Sequence, residues 1–521
     1  MKTRCLIVIM CLFLLISCGE KRTNPLIQNL NKSWVVTTDT LNIKMQVDIP
    51  SVIQADMYEN GLIPHPYKSN VEPQLLWIPQ HEWEYKLDFE AEDYILREDV
   101  VELIFEGLDT YADVWLNGKK ILHSDNMFRT YSCDVKDIIK KKNTIKVKFY
   151  PFDEVRDSLI ETYPLRFPEK YAVMRKAAYQ NGWDWAPRYM NMGIWQPVYI
   201  KAWTRSTICS ASVITSEVHD DKADLFFEAC INADEEHSIR LQLFQEDKKI
   251  LDKNIDLVVG KNYYSFPFEV LNPKLWYPNE LGEQNFYTFN LKMLDDENII
   301  EERNITMGIR TVEMIEEPDS IGTAFYFKVN GIPLYMKGAN YIPEEMITSW
   351  MSKEKTKKLL EQCVGNAHMN MLRIWGGGIY PPDYFYEICD SLGILVWQDF
   401  MFAGSTYPYS DEFIGNVREE AKKQVIRYKN HPSLALWCGN NEISEGYYNW
   451  GWQNSMNWSD EDYKEMKDGY DKLFEEMLDE VVSTYDKSRP YWPSSPKNGW
   501  GRAASLTEGD VHYWGVWWGE L

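Results

Sequence analysis

The rhythm of apolar and polar positions divides the chain into three regions. In the first, up to about residue 205, the rhythm is two. Val101, Leu103 and Phe105 alternate with polar partners, and Ile145, Val147 and Phe149 alternate with Lys146 and Lys148. A period of two is the mark of strands with one face buried. Val114-Trp115-Leu116 runs into Asn117-Gly118, a two-residue hairpin signal. Regular short strands with turn residues between them predict a β-sandwich. Residues 206–315 repeat the rhythm in Leu225-Phe226-Phe227 and in Ile239, Leu241 and Leu243. The loop Pro273 to Asn279 interrupts it, and Phe286 to Leu291 resumes it. A segment of this size built from short strands predicts an immunoglobulin-like sandwich.

From Phe325 the rhythm changes again. A hairpin at Asn330-Gly331 leads into Leu334 to Gly338, after which strands and helices alternate. Ser352 caps an expected helix to Asn366, and Asn370 to Trp375 is a strand ending in Gly376-Gly377-Gly378. Ile394 to Asp399 is the next strand, Asp411 to Lys429 the next helix, and Leu434 to Glu442 the fourth strand with its loop. A long acidic helix is expected over Asp460 to Tyr485, strand five at Tyr491 to Ser495, and strand six at Val511 to Trp514. Such alternation predicts βα units around a parallel sheet.

Three stretches carry candidate chemistry. Leu434 to Cys438 is a short apolar run, and Asn440-Asn441-Glu442 at its C-terminal end is polar. In a (β/α) barrel this end of a strand lines the open face. A glutamate beside an amide suits glycosidic chemistry, the acid protonating a leaving oxygen and the amide holding a hydroxyl. Capping by Asn440 or Asn441 of a helix starting near Ile443 is the structural alternative. Gly182-Trp183-Asp184-Trp185-Ala186-Pro187-Arg188 has no periodicity and sets an acid between two tryptophans. It reads either as a sugar subsite or as a buried turn closed by an Asp184–Arg188 pair. Gly376-Gly377-Gly378 lacks phosphate-loop spacing and reads as a sharp turn beside a ligand. No HExxH, GxSxG or DxDxDG pattern occurs, which disfavours a metalloenzyme and a serine hydrolase. No metal and no cofactor is expected.

Composition narrows the classes. A net charge of −24 with no Lys/Arg block disfavours nucleic acid as a partner. Twenty-one Trp and 32 Tyr suit stacking on sugar rings, and suit sandwich cores as well. The nine cysteines contain no CxxC pair, so neither a zinc site nor a disulfide scaffold is indicated; Cys209 and Cys230 share one small domain and could bridge. Lys2 and Arg4 precede an apolar run from Cys5 to Ile16, too short to span a bilayer. Leu15-Ile16-Ser17-Cys18 resembles a bacterial lipoprotein cleavage box. The resemblance implies cleavage before Cys18, lipidation of its thiol, and export to the periplasm or outer membrane.

Taken together, these blocks resemble the β-mannosidases of glycoside hydrolase family 2. The resemblance rests on Asp109 to Gly118, Gly182 to Pro187, Lys337 to Pro343, Asn370 to Gly378, Val396 to Ala403, Trp437 to Glu442 and Asp510 to Trp517. It implies a signal segment at 1–18, a jelly-roll sugar-binding domain at 19–205, an immunoglobulin-like sandwich at 206–315 and a (β/α)8 TIM barrel at 316–521. It further implies retaining hydrolysis of terminal β-linked mannose. Glu442 would be the acid/base and Asn441 would hold the C2 hydroxyl. Trp183, Asp184 and Trp185 would close the pocket, and Trp375 and Trp450 would be its aromatic walls. The nucleophile is expected at the end of strand seven, in a Ser-Glu-Tyr-Gly-like segment after Asp510 to Trp517. No such segment lies between that block and Leu521, so the barrel is expected to be incomplete after about strand six and the nucleophile absent. Another family 2 exo-β-glycosidase and a non-catalytic glycan-binding surface lipoprotein are the alternatives.

Overall fold

The structure is a computed structural model and describes residues 25–38, 41–499 and 502–515. The expectations for the leader, Cys18 included, and for Val516 and Trp517 lie outside the described residues. The first region is a sandwich of two antiparallel sheets. One runs, in spatial order, Ile43–Val47, Trp34–Thr38, Trp83–Glu90, Lys142–Phe149, Ala112–Leu116 and Lys119–Ser124. The other runs Leu26–Asn29, Val198–Trp203, Val100–Phe105 and Tyr131–Asp134. Val101, Leu103, Phe105, Ile145, Val147 and Phe149 meet in the core between them. Asn117 (φ 53°) and Gly118 (φ 85°) form the hairpin turn, both with the positive φ a two-residue turn of this kind needs. Helices Ile53–Glu59 and Phe152–Glu161 were not anticipated; both are short, and they lie in loops between strands.

The second region stacks a three-stranded sheet on a four-stranded one, seven antiparallel strands in all. Its core gathers Leu225, Phe227, Ile239, Leu241, Leu243 and Leu291. The boundary expected at residue 315 falls inside a strand, Val312–Pro318. That strand pairs with Thr323–Val329, so it belongs to the third region and not to the second. Asn330 and Gly331 then turn the chain into Ile332–Leu334, completing a small antiparallel sheet.

The third region is built on a five-stranded parallel sheet among the described residues. Its strands in spatial and chain order are β1 (Gly338–Tyr341), β2 (Met371–Ile374), β3 (Leu395–Asp399), β4 (Leu434–Cys438) and β5 (Tyr491–Trp492). Every residue of β3 and β4 is buried, as strands covered on both faces require. One face, with Leu372, Ile374, Val396 and Trp437, packs on the helices. The other, with Trp397, Leu436 and Trp492, packs on Phe325, Phe327 and Val329 of the small antiparallel sheet. Between β1 and β2 lies α1 (Lys353–Gly365), whose Lys355 N–H donates to the Ser352 hydroxyl at 3.2 Å. Helix α2 (Asp383–Leu392) joins β2 to β3, and α3 (Asp411–Tyr428) joins β3 to β4.

Two expectations are corrected here. The acidic helix Asp460 to Tyr485 contains a wide π segment, Asp471–Met477. Its buried stripe through Met466, Tyr470, Phe474, Met477 and Val481 advances more slowly than the 3.6-residue α-helical period. A wider turn keeps that stripe on the core. Val511 to Trp514 forms no strand. Val511, Tyr513 and Trp514 are exposed, and the segment is held by side chains, His512 bonding Glu442 and Ser495. No described helix is long and apolar enough to cross a membrane.

The first sandwich is pinned to the parallel sheet by a buried ion pair. Arg175 Nε donates to Glu420 Oε2 at 2.9 Å and Nη2 to Oε1 at 2.6 Å, with the two side chains 2% and 0% exposed. Arg175 Nη1 also donates to the Met401 carbonyl, and its guanidinium lies over the Phe402 ring at 3.9 Å. Asn126 and Tyr380 donate the remaining bonds to Glu420. Removing one partner strands a buried charge, so Arg175→Met or Glu420→Leu alone is expected to cost about 3–5 kcal/mol. The double variant Arg175→Met/Glu420→Leu is expected to cost far less than the sum, measured by chemical denaturation. Additive losses would contradict this account.

Candidate active site

A cavity of about 450 Å³ opens at the C-terminal ends of β1, β2 and β4 and is walled on one side by the first sandwich. Its floor is built by the ends of the parallel strands. Asn441 N–H donates to the Phe402 carbonyl at 2.9 Å and Glu442 N–H to the Ser495 carbonyl at 2.8 Å, extending the pairing beyond β4. Glu442 then takes a left-handed backbone, φ 63°, and starts helix α4 (Ile443–Asn449). A non-glycine residue held in this region is strained, and such strain concentrates where a side chain must be aimed. The two roles open to the amides are divided between them. Asn440 Oδ1 accepts from Ile443 N–H, the first of α4, at 3.0 Å, while Asn441 faces the cavity.

Arg373 organises the floor. Its Nη2 donates to Asp399 Oδ2 at 2.6 Å and to Asn441 Oδ1 at 3.0 Å, and its Nη1 donates to Asn340 Oδ1 at 3.0 Å. Asp399 is fully buried; burial raises its pKa, and Arg373, the largest opposing influence, does not fully offset that rise. Asp399 also accepts from Trp397 Nε1 and from Gly376 N–H, tying the glycine loop to β3. With its oxygen committed to Arg373, the Asn441 amide turns Nδ2 towards Glu442 Oε2 at 3.3 Å.

Glu442 is in a more charged setting than its neighbours in sequence suggested. His512 Nδ1 lies 2.7 Å from Oε1, and His512 Nε2 lies 3.0 Å from the Ser495 hydroxyl, which donates to Asp510 at 2.6 Å. Burial pushes the Glu442 carboxyl up. The hydrogen bond and charge of His512, the charge of Arg373 and a bond from Trp514 together outweigh burial and hold it below the ordinary glutamate value. No Lys or Arg adjoins Glu442 in sequence, so this depression is wholly a product of the fold. Glu445, the next carboxylate along the chain, is buried on α4 and does not line the cavity.

The wall comes from the first sandwich. Trp183 N–H donates to the Ala186 carbonyl and Ala186 N–H to the Trp183 carbonyl, closing a tight turn with Asp184 and Trp185 at its tip. Trp375 meets Trp183 edge-on at 4.9 Å and Trp185 edge-on at 5.8 Å, and Trp185 stacks on Tyr179. Asp184 is exposed at the tip and lines the cavity. The alternative pairing with Arg188 does not form: Arg188 bonds Glu72 through its N–H and Asp153 through Nη2. The glycine run serves Trp375 directly. A Cβ at Gly377 would lie 1.9 Å from the Trp375 ring, so only glycine lets that ring fold back over its own loop.

Trp450 is not part of the cavity lining. It ends α4, is 41% exposed, and its ring meets Trp452 edge-on. Residues lining the cavity that the sequence did not single out are Asn340, Ile342, Arg373 and the stretch Val511 to Trp514. Arg373 carried a signal, a lone cation inside an otherwise apolar strand. His512 carried none, because its partners lie far away in sequence.

Comparison with known proteins agrees with this architecture. Residues 31–196 match the family model described as glycosyl hydrolase 2 galactose-binding domain-like, and residues 209–310 that of glycosyl hydrolases family 2. The β-mannosidase of Mus musculus is 31% identical over 93% of this chain and 57% of its own length. That of Rattus norvegicus is 32% identical over 96% of this chain and 58% of its own. The chain belongs to glycosyl hydrolase family 2. A solved family relative, the β-D-mannosidase of Dictyoglomus thermophilum, superposes with a TM-score of 0.87 at 35% identity, over 95% of this chain and 60% of that one. The chain thus spans less than two thirds of the length of these relatives.

Burial is already the largest single influence on Glu442, and His512 is the largest one opposing it. His512→Ala is therefore expected to raise the Glu442 pKa, read by ¹³C NMR titration of labelled glutamate. Because the folded-state pKa lies below the ordinary value of 4.5, the stabilisation tied to it is present above about pH 4.5 and lost as pH falls through the folded value. The stability gap between wild type and His512→Ala should narrow accordingly in acid. An unmoved Glu442 titration would show that His512 does not set its charge state.

Proposed function

We propose that this chain carries the sugar cleft and the acid/base of a retaining exo-β-mannosidase, removing terminal non-reducing β-D-mannose residues from oligosaccharides or glycans. The observation that carries the reading is the meeting of Glu442 and Asn441 with Asp184, Trp185 and Trp375 in one cavity built by two domains. The preference for mannose rests on the relatives at 31–35% identity, which are β-mannosidases.

In this reading Glu442 protonates the glycosidic oxygen as the bond breaks, then takes a proton from the water that releases the sugar. Asn441, its oxygen held by Arg373, offers its amide nitrogen to the C2 hydroxyl. Asp184 accepts from hydroxyls on the opposite side of the ring, and Trp375 supplies an apolar face. The first-sandwich loop closes that side, so one terminal residue fits. Retention needs a second carboxylate about 5–5.5 Å from the acid/base. Among the described lining residues the only other carboxylate is Asp184, which this reading gives to the substrate. This reading takes the second carboxylate, the nucleophile, from the Ser-Glu-Tyr-Gly-like segment that the family resemblance puts at the end of strand seven of a (β/α)8 barrel. Its negative charge would raise the Glu442 pKa from its resting depression towards what a general acid needs. The leader supports export and lipidation at Cys18 in the same reading.

The test is Glu442→Ala in the full-length protein. Turnover of mannosides with poor leaving groups is expected to fall about 10²–10⁴-fold, with a much smaller loss on activated aryl β-mannosides. Azide should partly restore release of the glycosyl-enzyme. Equal losses on all substrates without azide rescue would remove Glu442 from the role.

A further inference from the structure

The second sandwich holds a pair of thiols that the cleft does not use. Cys209 is exposed and Cys230 is buried. They lie on neighbouring antiparallel strands, Ser206–Val218 and Lys222–Ala233. The ladder pairs Ile208 with Ile231 and Ser210 with Cys230, so Cys209 is the extra residue of a bulge beside Cys230. The bulge brings the two side chains together: Cys230 hydrogen-bonds Cys209, so the sulfurs are already neighbours. Both cysteines line a cavity of about 480 Å³ where all three regions meet. Arg129 reaches it from the first sandwich, Lys261 and Arg303 from the second, and Lys422 and Arg427 from α3. In a chain of net charge −24 this is a local concentration of positive charge.

The two thiols are chemically unequal. Cys209 is held below the ordinary thiol value, first by a hydrogen bond from Cys230; the charges of Lys201 and Lys261 add to this, and together they outweigh burial and Glu102. Cys230 is pushed well up, first by the bond it makes to Cys209, then by burial and by the Cys209 charge. One thiol is thus set to be the thiolate and its neighbour to keep the proton, the division of labour that thiol–disulfide exchange uses.

We propose that Cys209 and Cys230 form a redox-closable pair, Cys209 attacking and Cys230 resolving, whose product is a disulfide across the two strands at the junction of the three regions. The co-reactant is a low-molecular-weight disulfide, for which oxidised glutathione is the probe. The Cys209 thiolate attacks one glutathione sulfur, the S–S bond breaks, and one glutathione leaves as a thiolate that takes up a proton. Cys230 then releases its proton to water, attacks the Cys209 sulfur of the mixed disulfide and expels the second glutathione. Two protein thiols are oxidised, one small disulfide is reduced to two thiols, and electrons and protons balance.

The experiment treats the fully reduced, folded chain with oxidised glutathione and maps it by mass spectrometry without reductant. A Cys209–Cys230 cross-linked peptide that dithiothreitol reverses is expected. In Cys230→Ser, glutathione should accumulate on Cys209; in Cys209→Ser, Cys230 should stay a free thiol. A measurement on the unmutated chain guards against misfolded variants: iodoacetamide at pH 7 should label Cys209 at least tenfold faster than Cys230, Cys389 or Cys438. Stable glutathione on Cys209 with no cross-link in the unmutated chain would overturn the proposal. So would equal labelling of the four cysteines.

Discussion

The cleft depends on one buried ion pair. Arg175 of the first sandwich and Glu420 of α3 meet through two parallel bonds where water is excluded. Burying two charges is expensive, and geometry this complete is what offsets the expense. What it secures is position. Eight residues after Arg175 the chain reaches Trp183, Asp184 and Trp185, and Tyr179 N–H donates to the Gly377 carbonyl on the way. The sandwich loop is thereby registered against the glycine loop after β2, and the tryptophans from both close a single corner. A sandwich free to rock on the parallel sheet would carry Asp184 away from Glu442.

A second network sets the chemistry. Arg373 is shared among Asp399, Asn441 and Asn340, so the amide beside Glu442 has its oxygen committed and its nitrogen directed. The same cation, with His512, holds the Glu442 carboxyl below the ordinary glutamate value against the effect of burial. In the proposed reaction, a nucleophilic carboxylate nearby would oppose this depression.

Local signals in the sequence were reliable where local physics decides. The alternation at Val101 to Phe105 and Ile145 to Phe149, the Asn117-Gly118 and Asn330-Gly331 turns and the Ser352 cap each rest on neighbours a few residues apart. The polar end of β4 was legible as such, and it serves both readings open to it: Asn440 binds the first N–H of the next helix, while Asn441 and Glu442 line the cavity. Long-range partners were not legible. Nothing near Glu442 in sequence announces His512 or Arg373, and nothing near Trp450 announces that its ring settles on Trp452 and outside the cavity. Val511 to Trp514 has the composition of a strand, yet its described residues are held through His512 to the cleft and not by a ladder. Arg188 had a plausible partner four residues away and took Asp153 and Glu72.

The central claim is that one sugar ring lies between two domains, touching Asp184 on one side and Asn441 and Glu442 on the other. Calorimetric affinity for a mannose-configured glycosidase inhibitor tests it without requiring turnover. Losing a hydrogen bond to a buried hydroxyl costs about 1–3 kcal/mol, or about 5- to 150-fold in affinity. Asp184→Ala should weaken binding by that amount, while Trp450→Ala, outside the cavity, should leave it unchanged. Undiminished affinity in a folded Asp184→Ala chain would contradict the two-domain cleft.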